Sequence, residues 1–355
     1  MVEYNVIVKL TAKCNMRCTY CNVEESNTAD FPAQQIDDLV DWLNRECQQS
    51  RCSVLWHGGE PLVLGYDYFA KLFASESRYP GRFKNTVSTN GLLLTDRMIE
   101  LLAAHDVTIK TSLDSLTPDM DGPRGRKCEQ VIQALNRLKV ANYSEVYVRM
   151  TISRINQSLI RGMYDYMCNN YRYKWEFAPI IPGGLKKDAA LAILPDQKIF
   201  TEAVIGIFHH WFDNYPFEIP VFTDVLRYFM GMIDPGPVTQ PRLNVGNDGS
   251  IYRCPLLIGN HLYEIGHYCD RAVIKEFRDT DCVWRTIPKQ ECAFCQFNRL
   301  CRLSRCAYVA VSLDGIEGAE DYYCSLWKPI YEDILSTVGA SLDDGGIVHT
   351  VKATT

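Results

Sequence analysis

Short apolar runs alternate with amphipathic stretches through the first half of the chain. Runs with strand character fall at about 4–11, 53–57, 84–89, 107–113, 145–152 and 174–180. Between several of them, Ile36 to Cys47, Tyr68 to Phe73 and Val131 to Leu138 repeat apolar residues at helical spacing. Six strand-then-helix units predict an α/β fold, a parallel sheet with helices outside it. In such sheets ligands gather at the carboxyl ends of the strands, so the residues just after each run are where chemistry is expected.

The rhythm then breaks. Gly183, Gly184, Leu185, Lys186 and Lys187 open a polar connection, Gln197 to Asn214 and Thr223 to Met232 read as helices, and Pro235-Gly-Pro237 closes the stretch. Beyond it, Asn247-Asp-Gly249 between two short strand-like runs, 243–245 and 251–253, predicts a hairpin that delivers Cys254. The expected segments are 1–185 as the α/β body, 186–240 as a helical bridge, 241–335 as a cysteine-rich domain and 336–355 as a tail, with Asp343 to Thr355 unstructured.

Composition narrows the function classes. The 355 residues, 47% hydrophobic, can bury a large core. A formal net charge of −6 leaves no electrostatic footprint for nucleic acid. There is no run of about eighteen apolar residues and no secretory signal pattern, so no membrane partner and a cytoplasmic location are expected. Fifteen cysteines in such a chain read as metal ligands in a reducing compartment.

The first of them, Cys14, Cys18 and Cys21, form C-x3-C-x2-C directly after the first strand. Three thiolates from one loop hold a four-iron cluster with one iron open to a small molecule; a zinc site completed by a distant ligand is the alternative. With Tyr20 before the last cysteine, the spacing resembles the signature of the radical S-adenosylmethionine superfamily. The resemblance implies a partial (β/α)6 barrel. It also implies that the open iron binds S-adenosylmethionine, and that one electron cleaves it to methionine and a 5′-deoxyadenosyl radical. After the second strand, Gly58, Gly59, Glu60 and Pro61 match that family's motif for the methionyl amino group; after the third come Thr89 and Asn90, and the fourth holds Ser112 and Asp114. These resemble the ribose and carboxylate contacts, with Arg124 pairing the carboxylate, although Ser115 stands where the family often has glycine. The alternatives are an ordinary turn for Gly58 to Pro61 and for Asn90-Gly91, and a solvated loop residue for Arg124.

The later cysteines, Cys254, Cys269, Cys282, Cys292, Cys295, Cys301, Cys306 and Cys324, resemble a SPASM domain, the small C-terminal extension that holds two auxiliary four-iron clusters. On that pattern Cys292, Cys295, Cys301 and Cys324 bind the outer cluster and Cys254, Cys269 and Cys306 the inner one, with Cys282 competing with Cys269 or joining it. A zinc ribbon is the alternative. Cys47, Cys52, Cys128 and Cys168 lie in apolar or helical contexts and read as buried small hydrophobes. Asp270, next to Cys269, corresponds to the aspartate that takes the substrate proton in sulfatase-maturing members, or else begins a surface turn.

The resemblance thus implies a radical oxidoreductase supplied by a flavodoxin- or ferredoxin-type electron donor. The expected reaction is oxidation of a peptide or protein side chain, by dehydrogenation or by crosslinking as in cyclophane-forming peptide maturases. Thirteen residues precede Cys14, so a peptide is expected to bind without the leader-binding module that such maturases often carry there. The alternatives are a dehydrogenase or epimerase of a small sugar-like metabolite, and an electron-transfer protein, in which the Gly-Gly-Glu-Pro and Asn-Gly elements have no role.

Overall fold

A computed structural model describes residues 4–21, 23, 29–47, 51–182, 186–232, 242–252, 254–270, 294–297, 300–301, 319–342 and 348–351. The chain condenses into two compact units: one of 1–149, 184–186 and 240–282, the other of 150–183, 187–239 and 283–355. These units cut across the segments expected from the sequence.

In the first unit, β1 (Tyr4–Thr11), β2 (Cys52–Gly58), β3 (Phe83–Ser88), β4 (Thr108–Ser112) and the start of β5 (Val146–Ile152) run parallel in chain order. The crossovers carry α1 (Ile36–Glu46), α2 (Tyr66–Glu76), α3 (Asp96–Ala104) and α4 (Cys128–Val140). Burial has a period of two along the strands: Cys52, Val54 and Trp56 are buried in β2, while Ser53, Leu55 and His57 are partly open. One face is therefore packed with apolar side chains and the other is left for polar ones.

The predicted hairpin forms and does more than deliver Cys254. β7 (Arg242–Val245) pairs in parallel with β1, and β8 (Ser250–Tyr252) and β9 (Glu264–His267) follow antiparallel. The hairpin belongs to the first unit for this reason: β7 satisfies the edge of β1, whose backbone groups would otherwise need another partner. Within the first unit the strands follow the order β5-β4-β3-β2-β1-β7-β8-β9, which is linear, so this part of the sheet is open.

The second unit takes the end of β5, α5 (Ile160–Asn170) and β6 (Lys174–Pro179), with Ile180 N–H donating to the Ile152 carbonyl at 3.0 Å. Then come α6 (Lys187–Leu191), α7 (Gln197–Asn214), α8 (Pro220–Phe229) and α9 (Ala319–Thr337). Asp196 caps α7 through Ile199 N–H at 3.0 Å. The second bridge helix starts at Pro220, earlier than the expected Thr223, because proline's fixed φ suits the first helical position. Trp175, Phe200, Phe208, Trp211, Phe222 and Phe229 are fully buried. The tail is not wholly unstructured: β10 (Ala340–Leu342) and β11 (Val348–Val351) pair antiparallel. No described helix is long and apolar enough to cross a membrane.

Candidate active site

The glycine motif lies against the cysteine loop, backbone to backbone. A Cβ on Gly58 would fall 2.3 Å from the Thr11 carbonyl oxygen, and one on Gly59 would fall 2.4 Å from that of Lys13. Gly59 N–H donates to Thr11 O and Glu60 N–H to Lys13 O, both at 2.8 Å. The motif needs glycine because main chain approaches main chain here. Pro61 then opens a short 3₁₀ turn.

Glu60 is buried, with its carboxylate turned toward the third strand's loop. Oε1 accepts from Leu62 N–H at 3.0 Å and Thr89 Oγ1 at 2.8 Å, and Oε2 accepts from Asn90 N–H at 2.6 Å. Burial pushes its pKa up to about 7 against the pull of those three bonds. Glu60 thus ties the loops after β2 and β3 together. Asn90 extends the tie to the cysteine loop, donating to Asn15 Oδ1 at 2.6 Å and approaching Cys14 Sγ at 3.8 Å.

The loop after β4 holds the other side of the cysteines. Thr19 donates to the Pro123 carbonyl from both N–H (2.7 Å) and Oγ1 (2.9 Å), and Cys18 Sγ approaches the Arg124 carbonyl at 3.8 Å. Tyr20 OH donates to Asp114 Oδ2, while Arg124 Nη1 stands 3.8 Å from Asp114 Oδ1. Asp114 and Arg124 are both buried. Burial works against the Arg124 charge, but Tyr20, Asp114, Cys18 and Asp121 outweigh it and raise its pKa. The two residues expected to contact a cofactor carboxylate are therefore paired under the loop. Ser112 is partly open at the end of β4.

The loop thiols influence one another: burial raises Cys14, and charges on Glu60 and Cys21 add to it. Burial likewise pushes Cys18 up to about 11, with Arg124 opposing. Among the described residues no three His, Cys, Asp or Glu side chains gather tightly enough for a single metal ion. A four-iron cluster asks for something else, one thiolate per iron around its own body. Three thiols on one loop, beside a cradle closed to any Cβ, fit that group.

Of the later cysteines, Cys254 follows β8 and Cys269 follows β9; because these strands are antiparallel, the two thiols lie toward opposite ends of the pair. Cys269 and Asp270 are exposed, and Cys269 opens on a cavity of about 350 Å³ lined also by Asp30, Asp38, Asp248 and His267. Cys295 and Cys301 are half-buried and Cys324 is exposed on α9. Cys282, Cys292 and Cys306 lie outside the described residues. Cys47, Cys52 and Cys128 are buried as expected, and Cys168 is partly so.

Two features escaped the sequence. Lys186 Nζ donates to the Cys18 carbonyl at 3.0 Å, bringing a distant lysine to the cysteine loop. Lys9, Lys110 and Arg149 also lie on His57's side of the sheet, closely enough for their three charges to act on its ring. Each sits in an ordinary strand pattern, and only the register brings them together.

Residues 8–166 match the Radical SAM superfamily. Over nearly their whole length, two relatives resemble the chain. One is a cysteine-type anaerobic sulfatase-maturating enzyme of Clostridium perfringens, 21% identical over 94% of this chain and 96% of its own. The other is a serine-type enzyme of Bacteroides thetaiotaomicron, 22% identical over 93% and 89%. Among solved structures, native anSMEcpe with bound AdoMet and Kp18Cys peptide superposes with a TM-score of 0.75 at 20% identity, covering 94% of this chain and 98% of that one. That likeness establishes the fold.

Proposed function

The chain carries a radical SAM domain and is an enzyme of that superfamily, and from this premise we propose that it oxidises a side chain of a peptide or protein. Membership implies a four-iron cluster and S-adenosylmethionine as cofactors. The observation that supports the reading most is that the likeness to sulfatase-maturating enzymes runs through 94% of the chain, well beyond residues 8–166. A relative of the same fold binds AdoMet and a peptide together.

In this reading Cys14, Cys18 and Cys21 hold the cluster and leave one iron open. When bound, that group supplies the electron that cleaves S-adenosylmethionine and, with it, the oxidising power to take a hydrogen atom from substrate carbon. The protein's part is orientation. Gly58 and Gly59 let the main chain lie close to the ligand's ammonium, Glu60, Thr89 and Asn90 fix three loops in register, and Ser112 faces the site from β4. Tyr20, Asp114 and Arg124 brace the cysteine loop from beneath. Asp270 accepts the proton from the substrate's oxygen or sulfur as its carbon is oxidised, since a carboxylate is an acceptor only. Cys254, Cys269, Cys282, Cys292, Cys295, Cys301, Cys306 and Cys324 would hold auxiliary clusters, which would supply the acceptor for the second electron of that oxidation, and a small electron donor completes the system.

The test is anaerobic. Reconstituted protein with reductant and S-adenosylmethionine should form 5′-deoxyadenosine, and cysteine- or serine-containing peptides should lose two hydrogens by mass spectrometry. The Cys14→Ala/Cys18→Ala/Cys21→Ala variant should form no 5′-deoxyadenosine yet keep about two-thirds of the iron if three four-iron clusters are present. Undiminished 5′-deoxyadenosine from that variant refutes the ligand assignment.

A further inference from the structure

The lysine that reaches the cysteine loop comes from a segment with no part in the chemistry described so far. Lys186 lies in the polar connection of residues 183–187 and, unlike Lys187 after it, belongs to the first unit, as the cysteine loop does. Its ammonium donates to the carbonyl oxygen of Cys18 at 3.0 Å, across 168 residues of sequence. Within one residue a carbonyl oxygen and Sγ stand about 3–5 Å apart. The ammonium therefore lies within about 8 Å of the Cys18 sulfur, no more than a Debye length at physiological salt.

The partner is neutral, so the contact satisfies a donor without cancelling the charge. Among the described residues no carboxylate pairs with Lys186. The other cation at Cys18 is placed differently. Arg124, whose carbonyl oxygen lies 3.8 Å from Cys18 Sγ, is buried with its Nη1 3.8 Å from Asp114 Oδ1, so a fixed carboxylate balances it. Around the Cys18 thiol, Cys21, Asp114 and Cys14 all oppose a further negative charge. Lys186 thus brings to a loop crowded with negative groups a cation that no buried acid offsets.

Resting on the assignment of Cys14, Cys18 and Cys21 as cluster ligands, we infer that Lys186 is a positioning residue for the cofactor cluster: it holds the Cys18 carbonyl and sets a fixed positive charge against the loop, so that the cluster takes up its electron more readily. The step is a one-electron reduction. An external reductant, the small electron donor or dithionite, loses one electron, the cluster gains it, and no bond in the protein forms or breaks. Reduction adds one negative charge beside three thiolates, and net charge around an iron–sulfur cluster is among the terms that set its potential. A cation at this range favours the more negative state. A mere staple for the loop would need only a donor, which an uncharged amide supplies as well.

Three variants separate charge from donor. Lys186→Arg keeps both, Lys186→Gln keeps a donor without the charge, and Lys186→Met keeps the stem alone. Lys186 is half-buried just before α6, so none of the three side chains has to fit a packed core. The potential is read by a redox titration followed by electron paramagnetic resonance, on anaerobically reconstituted full-length protein without S-adenosylmethionine or peptide. The signal to follow is the one missing from the Cys14→Ala/Cys18→Ala/Cys21→Ala variant, which separates it from any auxiliary cluster. Lys186→Gln and Lys186→Met should each make reduction about tenfold less favourable, a downward shift of about 59 mV for one electron, with iron content equal to wild type. Lys186→Arg should stay within about twofold of wild type. A Lys186→Gln variant at the wild-type potential would make the lysine a staple and overturn the inference, as would a Lys186→Arg variant shifted as far as Lys186→Met. Failure of the inference leaves the signal present at an unmoved potential. Failure of the ligand assignment shows differently, as wild-type signals that all survive in the triple variant.

Discussion

Replacing Gly59 by alanine should dismantle the seat of the cysteine loop. The new methyl carbon would lie 2.4 Å from Lys13 O, 2.6 Å from Ala12 O and 2.8 Å from the Lys13 carbonyl carbon. Carbon and oxygen at rest stand about 3.4 Å apart, so the loop must retreat by roughly 1 Å, and these are backbone atoms that cannot rotate aside. The retreat strains two hydrogen bonds of 2.8 Å, Gly59 N–H to Thr11 O and Glu60 N–H to Lys13 O. Overpacking of this kind costs about 1–3 kcal/mol, and a weakened bond adds about 1 kcal/mol. With about 2–4 °C lost per kcal/mol in a unit of this size, the apo protein should melt roughly 5–15 °C lower. The reconstituted variant should also lose iron from the site of Cys14, Cys18 and Cys21. Gly206→Ala is the control: nothing lies within 4 Å of its Cβ position in the middle of α7, and alanine there should stabilise by about 0.5–1 kcal/mol. Gly59→Ala with full iron and a melting point within about 2 °C of wild type would refute the close-approach argument.

Three further outcomes follow from the same geometry. Asp270→Asn should still form 5′-deoxyadenosine and incorporate substrate deuterium into it, while product falls by at least about tenfold, within the usual contribution of general base catalysis; product at the wild-type rate would make Asp270 a turn residue. Tyr20→Phe removes the donor to buried Asp114 and should cost about 1–3 kcal/mol, read as faster amide hydrogen exchange at residues 18–21 and a lower melting point; unchanged exchange would show that the bond does not hold the loop. Glu76, buried beside Asn85 Nδ2 at 2.5 Å, has its pKa pushed by burial from about 4.5 up to about 8. Because the folded value lies above the unfolded one, its proton stabilises the fold fully below about pH 4.5, and that stability is lost as pH rises through about 8. Glu76→Gln should therefore gain on wild type by about 3–5 kcal/mol between pH 5 and pH 9 in denaturant titrations; parallel pH curves for the two proteins would refute the shift.

How much of this was legible beforehand depends on the range of the interaction. The strands were, because a period of two in burial is written residue by residue: 4–11 and 145–152 as read become Tyr4–Thr11 and Val146–Ile152. The cysteine loop and the glycine motif were legible too, since both are local spacings whose chemistry depends on residue type. Three things were decided only by tertiary structure. Asp114 and Arg124 sit in a recognisable motif, but their burial with Tyr20 arises from a contact ninety-four residues apart in sequence for the tyrosine–aspartate pair, and nothing local distinguishes a carboxylate aimed at a ligand from one turned beneath a loop. The β7–β9 strands look like the start of a separate domain until β7 pairs with β1, a choice made by the open edge of β1 and invisible in the hairpin's own residues. Lys9, Lys110 and Arg149 each read as polar positions on a half-buried strand, and their sum becomes a charged face only when parallel register sets them around His57. Sequence fixes which groups a strand can present and on which side, through the pleat; which groups become neighbours, and whether water still reaches them, is set by strand order and packing, and there electrostatics takes its strength.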